Sequence, residues 1–168
     1  SIFDERDGEF FMALEQAESI FRNFLEDDAP FLVNVSAARR HQVAAALAQE
    51  ERGSDAVREQ FLAPSVAGDY VACLGVSEAG AGSDVSAVVT TAVKDGDHYI
   101  LNGSKTFITN GQLADLVIVV AKTDPREGAK GISLMLVESA WDGFEKGKNL
   151  NKVGMKAQDP SELFFQDV

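Results

Sequence analysis

The feature that most constrains this chain is a change of texture at Gly68. Beyond it, β-branched and aromatic runs are separated by Gly and Asp turns, and no stretch with helical periodicity intervenes. The pattern predicts strands over Tyr70–Val76, Val88–Lys94, His98–Asn102, Ser104–Ile108, Leu116–Lys122, Ile132–Val137 and Glu162–Gln166, with Asp95-Gly96-Asp97 as a hairpin turn. Strands without crossover helices between them should be mostly antiparallel and close as a small barrel or sandwich.

Upstream of Gly68 the period is that of helices. Phe10, Leu14, Ala17, Phe21 and Phe24 form one apolar stripe from Phe10 to Leu25, behind the acidic Asp4, Glu5, Asp7 and Glu9. A second helix is expected from the N-cap Ser36 through Ala37–Gln49, stopped by Gly53. Ser54 and Asp55 should cap a third, Ala56–Leu62, with Pro64 ending it before a turn at Gly68-Asp69. The fold class is therefore α+β: a short N-terminal helical segment over residues 1–66, then an antiparallel β-barrel-like domain over residues 67–168. No internal repeat or low-complexity segment interrupts it.

Composition narrows the function classes. Fifteen basic against 27 acidic residues leave a net charge of -12. That charge argues against nucleic acid and anionic membrane surfaces as partners. The longest apolar run, Leu116–Ala121, falls far short of the ~20 residues of a spanning helix, and the N-terminus is acidic, so the chain reads as cytoplasmic. One cysteine, Cys73, and two histidines, His41 and His98, give neither an internal disulfide nor a zinc cluster. Both histidines lack a catalytic partner in the sequence pattern. Asn34-Val-Ser36 and Asn102-Gly-Ser104 match a glycosylation pattern that has no secretion signal to support it.

The chemistry concentrates in Gly75-Val-Ser-Glu-Ala-Gly-Ala-Gly-Ser-Asp84, which packs glycines and serines into a loop after a strand. Backbone N–H groups in such a loop can converge on an anion or on the polar edge of a ring. The spacing is not a dinucleotide fingerprint, since Ser83, Asp84 and Val85 follow Gly80-Ala-Gly82, and no P-loop is present. On spacing alone a plain turn is the favoured reading, as glycine-rich loops are usually just turns.

The same string closely resembles the flavin-binding signature of the acyl-CoA dehydrogenases, with Ala79 in place of the usual proline. Gly96-Asp-His-Tyr-Ile-Leu-Asn-Gly-Ser-Lys105 with Phe107-Ile-Thr-Asn-Gly111, Leu150-Asn-Lys-Val-Gly-Met-Lys156 and Glu162-Leu-Phe-Phe-Gln-Asp-Val168 resemble the same family in the same order. The resemblance implies FAD as cofactor, lined by Leu74 to Ser83. The Val76 and Ser77 amides, with the Ser77 hydroxyl, would face the pyrimidine edge. Gly82 and Ser83 would approach a diphosphate or the pantetheine arm, and Ser83 would also touch substrate. Phe107 would stack on the isoalloxazine, with Ile108 and the Thr109 hydroxyl at its edge. Glu78 is expected to be a loop carboxylate bonding nearby amides.

The resemblance also implies what lies outside the matched motifs. In the family the base is a glutamate in a C-terminal four-helix bundle, which has no counterpart up to Val168, so no residue here is assigned as catalytic. The expected function is α,β-dehydrogenation of an acyl-CoA thioester in fatty acid metabolism. Hydride would pass to FAD, electron-transferring flavoprotein would be the oxidant, and the protein would be a homo-oligomer, dimer or tetramer. The alternative is a non-catalytic relative that binds flavin or acyl-CoA or pairs with another subunit. An unrelated ligand-binding β-barrel with a helical arm would explain the strands but not the ordered motifs.

Overall fold

The computed structural model describes residues 54–154 and 159–168. The expected helices at Phe10–Leu25 and Ala37–Gln49, with His41 and Asn34, lie outside them. The first described element is a helix in three pieces: α1 (Asp55–Val57), a π-helical turn (Arg58–Leu62) and α2 (Ala63–Ala67). Ser54 caps it, its hydroxyl accepting from the Val57 amide at 3.4 Å. Pro64 does not end it, contrary to expectation, and the helix runs on to Ala67. A proline ring clashes with the carbonyl four residues back, and the wider π-turn, in which the Ala63 amide reaches back to the Arg58 carbonyl, removes that conflict. The stop is Gly68, at φ 90°, where the amides of Gly68, Asp69 and Tyr70 all converge on the Pro64 carbonyl.

Seven strands follow: β1 (Ala72–Gly75), β2 (Thr91–Asp95), β3 (His98–Ile108), β4 (Leu116–Lys122), β5 (Ile132–Glu138), β6 (Phe144–Asn149) and β7 (Ser161–Phe165). They form one curled sheet in the order β1-β4-β2-β3-β7-β6, with β5 on the other edge of β4. Pairing is mostly antiparallel, as the absence of crossover helices predicts. Two contacts are parallel: β1 with β4 from Ala72↔Leu116 to Gly75↔Val119, and β2 with β4 at Thr91↔Lys122. A parallel neighbour needs a long return connection, and for β1 and β4 the signature loop with the β2–β3 hairpin supplies it in place of a helix.

Strand β4 is buried on both faces, which is why Leu116–Ala121 reads as a continuous apolar run. Its odd-numbered face joins Cys73, Ala92, Leu101, Ile108, Val137, Leu163 and Phe165 in one core cluster. Its even-numbered face packs under the helix, where Val57 and Phe61 meet Leu116, Ile118 and Leu136, and under the signature loop, where Ala81 and Val88 meet Val120 and Ile132. The loop is thereby anchored on a rigid platform.

Three other departures have local causes. The expected break within β3 does not occur. Gly103 instead carries the strand through at φ 151°, pressed against Thr90. Strand β2 starts at Thr91 because Val89 and Thr90 give their amides to Glu78 and not to a ladder. Strand β6 has little apolar content and pairs as an edge along β7.

Candidate functional site

The signature loop is built on a tight turn in which the Glu78 amide donates to the Ala81 carbonyl at 2.8 Å and the Ala81 amide returns to Glu78 at 3.2 Å. Ala79 and Gly80 occupy its centre without a positive φ, so alanine serves where the family usually has proline. Asp84 ends the loop by accepting from the Ser86 amide at 3.0 Å, which caps a short 3-10 turn over Val85–Ala87.

Glu78 bonds neighbouring amides, as expected, and more. Its carboxylate accepts from the Val89 amide (2.7 Å), the Thr90 amide (3.1 Å), the Thr90 hydroxyl (2.6 Å) and the Lys105 ammonium (2.7 Å). The Lys105 side chain is 0% exposed and that of Glu78 5%. Burial pushes the Glu78 carboxyl up, but the hydrogen bonds from Lys105, Thr90 and the Val89 amide outweigh it and hold it below the usual carboxylate value. Burial works on Lys105 in the other direction and lowers its ammonium, which the Glu78 bond partly offsets.

Lys105 also donates to the Val76 carbonyl at 3.2 Å, and the Thr106 amide donates to the Ser77 carbonyl at 2.8 Å. These bonds bring the Val76–Glu78 segment against β3 just before Phe107, Ile108 and Thr109. Phe107 then breaks from regular strand geometry at φ 58°, where the β3–β7 register shifts between Lys105 and Ile108. An aromatic residue in the left-handed region costs about 1–2 kcal/mol, and here the bulge turns the ring outward, 70% exposed. The Ile108 side chain goes into the core, leaving only its backbone for a ligand. Thr109 is 9% exposed, and its hydroxyl has no hydrogen-bond partner among the described residues.

The Ser77 hydroxyl and the amides of Ser77, Gly82 and Ser83 likewise donate to nothing among the described residues. Gly82 and Ser83 are exposed, and a Cβ added at Gly82 would meet no atom within 4 Å. The Leu74 side chain is half-buried against the helix cluster and Val76 against the loop cluster, so both support the loop from beneath. The part that sequence reasoning missed is Lys105, whose signal is a basic residue at a core-facing position of β3.

Other reactive groups are elsewhere or occupied. Burial pushes the Cys73 thiol up to about 12, which leaves it without thiolate character. His98 is exposed beside Asp97 and Asp95. Asn102, in the glycosylation pattern, exchanges hydrogen bonds with Asp167 at 2.9 and 3.0 Å.

Residues 73–168 match the family model described as "Acyl-CoA dehydrogenase, middle domain". The chain belongs to the acyl-CoA dehydrogenase family. It is 56% identical over 112 residues to the long-chain specific acyl-CoA dehydrogenase, mitochondrial, of Rattus norvegicus, covering 66% of this chain and 26% of that protein. The structure of butyryl-CoA dehydrogenase from Megasphaera elsdenii superposes with a TM-score of 0.78 at 40% identity, covering 80% of this chain and 36% of that one. PigA with FAD and proline superposes at 0.79 and 32% identity, covering 81% and 36%. This acyl-CoA dehydrogenase segment thus spans about a quarter to a third of the length of these relatives.

Proposed function

We propose that the protein carrying this chain is an FAD-dependent acyl-CoA dehydrogenase and that this segment supplies its flavin-binding surface. The observation that carries the reading is the gathering of unsatisfied donors next to one outward-turned aromatic ring. The Ser77 amide and hydroxyl and the Thr109 hydroxyl have no partner among the described residues. The Thr106 amide ties Ser77 beside Phe107, Thr109 follows it in the chain, and a left-handed backbone turns the Phe107 ring outward. That set suits a planar heteroaromatic ring with a polar edge. Gly82 and Ser83 add free amides and open space for a diphosphate or pantetheine arm. FAD, when bound, would supply the hydride acceptor for α,β-dehydrogenation of an acyl-CoA thioester.

What the chain's own residues do is bind and orient. Phe107 covers one face of the ring, Thr109 and Ser77 hold its edges, and Ser83 meets the ligand. In the signature loop Glu78 already accepts four hydrogen bonds, and one carboxylate oxygen of Asp84 holds the Ser86 amide and hydroxyl. On the family pattern we assign the proton acceptor to another part of the protein, and electron-transferring flavoprotein and a second copy of the subunit complete the assembly we propose. The full engagement of Glu78 equally suits a relative that binds flavin without turning over.

Anaerobic addition of acyl-CoA thioesters to the whole, FAD-loaded protein separates the two. Bleaching of the yellow flavin, reversed by electron-transferring flavoprotein, is the expected result. Stable colour with every thioester, despite tight FAD binding, would establish the non-catalytic reading.

A further inference from the structure

The buried Glu78–Lys105 pair has a consequence beyond holding the loop together. An ammonium taken wholly out of water needs several partners to offset its lost hydration. Lys105 takes Glu78 at 2.7 Å and, as its second, the carbonyl of Val76 at 3.2 Å. Its stem reaches that carbonyl past Gly75, where an added Cβ would stand 3.4 Å from the Lys105 Cγ. The described backbone contains no cis peptide bond. In a trans peptide the C=O and the following N–H point in opposite directions. Holding the Val76 carbonyl toward the enclosed ammonium therefore turns the Ser77 N–H away from it, where it donates to nothing among the described residues. A cation on the carbonyl also polarises the peptide and strengthens its N–H as a donor.

We propose that Lys105 is a positioning residue: its ammonium grips the Val76 carbonyl so that the Ser77 amide is presented, fixed and polarised, to the electron-rich edge of the bound flavin ring. This rests on the flavin-site reading above. A polarised donor stabilises the ring most when it carries added electron density, so Lys105 should tighten the hold on reduced flavin more than on oxidised flavin.

The test uses the whole protein. Lys105→Met leaves the Glu78 carboxylate buried without its cation, so the double variant Lys105→Met with Glu78→Gln, which removes both charges, is measured beside it. The expected result is FAD still bound, with affinity for reduced flavin falling about tenfold more than for oxidised flavin, a potential lower by about 30 mV for the two-electron couple. A folded, FAD-bound double variant with the wild-type potential overturns the inference and leaves the flavin site standing. Wild-type protein that binds no FAD overturns the flavin-site reading and the inference with it. A third measurement needs no variant: hydrogen exchange at the Ser77 amide should slow on adding FAD, and an unchanged rate in a protein that binds FAD overturns the proposal.

Discussion

Glu78 shows how far residue-level reasoning reaches in this loop. A carboxylate in a glycine-rich turn beside free amides is legible as an amide-bonding group, and the Val89 and Thr90 amides are where it goes. Its cation was not legible, because Lys105 lies 27 positions away and is brought close only by the sheet. Glu78→Gln should therefore destabilise the fold by about 3–5 kcal/mol, the cost of leaving a buried charge unpaired, measured as a shift in the denaturation midpoint. The pH dependence has a definite sign. A carboxyl held below its ordinary value in the folded state adds stability above that value, about 4.3 for glutamate, and loses it as pH falls through the lowered one. Wild-type stability should drop in that acid window, and Glu78→Gln should flatten the drop. An equally steep acid limb in the variant would show that other groups carry it.

Among the elements, those with strong local signals matched closely. Strand β4 covers Leu116–Lys122, the span its apolar run predicts, and the Asp95-Gly96-Asp97 hairpin forms with Gly96 at φ 64°. The departures arise where tertiary contact overrides local pattern. Strand β6, Phe144–Asn149, has one large apolar residue, so its pairing with β7 is backbone hydrogen bonding on an edge that no periodicity announces. Gly103 reads as a strand breaker, yet it lets β3 pass over Thr90, the residue that bonds Glu78 twice. A Cβ there would stand 2.7 Å from the Thr90 Cβ and 2.8 Å from its Cα. Gly103→Ala should cost about 1–3 kcal/mol by overpacking alone and also loosen the Glu78 cluster. A thermal midpoint equal to wild type would mean that β3 and Thr90 are not pressed together as described.

For the molecule as a whole, fold class and family were legible because several ordered motifs share one sheet, whereas side-chain roles needed the structure. Ile108 turns into the core and Leu74 under the helix, which their motif positions do not reveal. Large apolar side chains stay exposed at Val89, Phe107, Leu113, Trp141, Val153 and Phe164. The 168-residue chain made alone should therefore self-associate, and sedimentation as a clean monomer would contradict this. The flavin surface we propose is tested by FAD affinity in the whole protein and in two site variants. A Cβ at Gly82 meets no described atom within 4 Å, so Gly82→Asp enters open space and should leave the fold intact, which the thermal midpoint of the variant checks. Thr109→Val removes one hydroxyl, worth roughly one to two decades of affinity when its partner carries partial charge. FAD binding that weakens by that much in Thr109→Val and is largely lost in Gly82→Asp is the predicted result. Wild-type affinity in both folded variants would contradict a flavin surface at this loop.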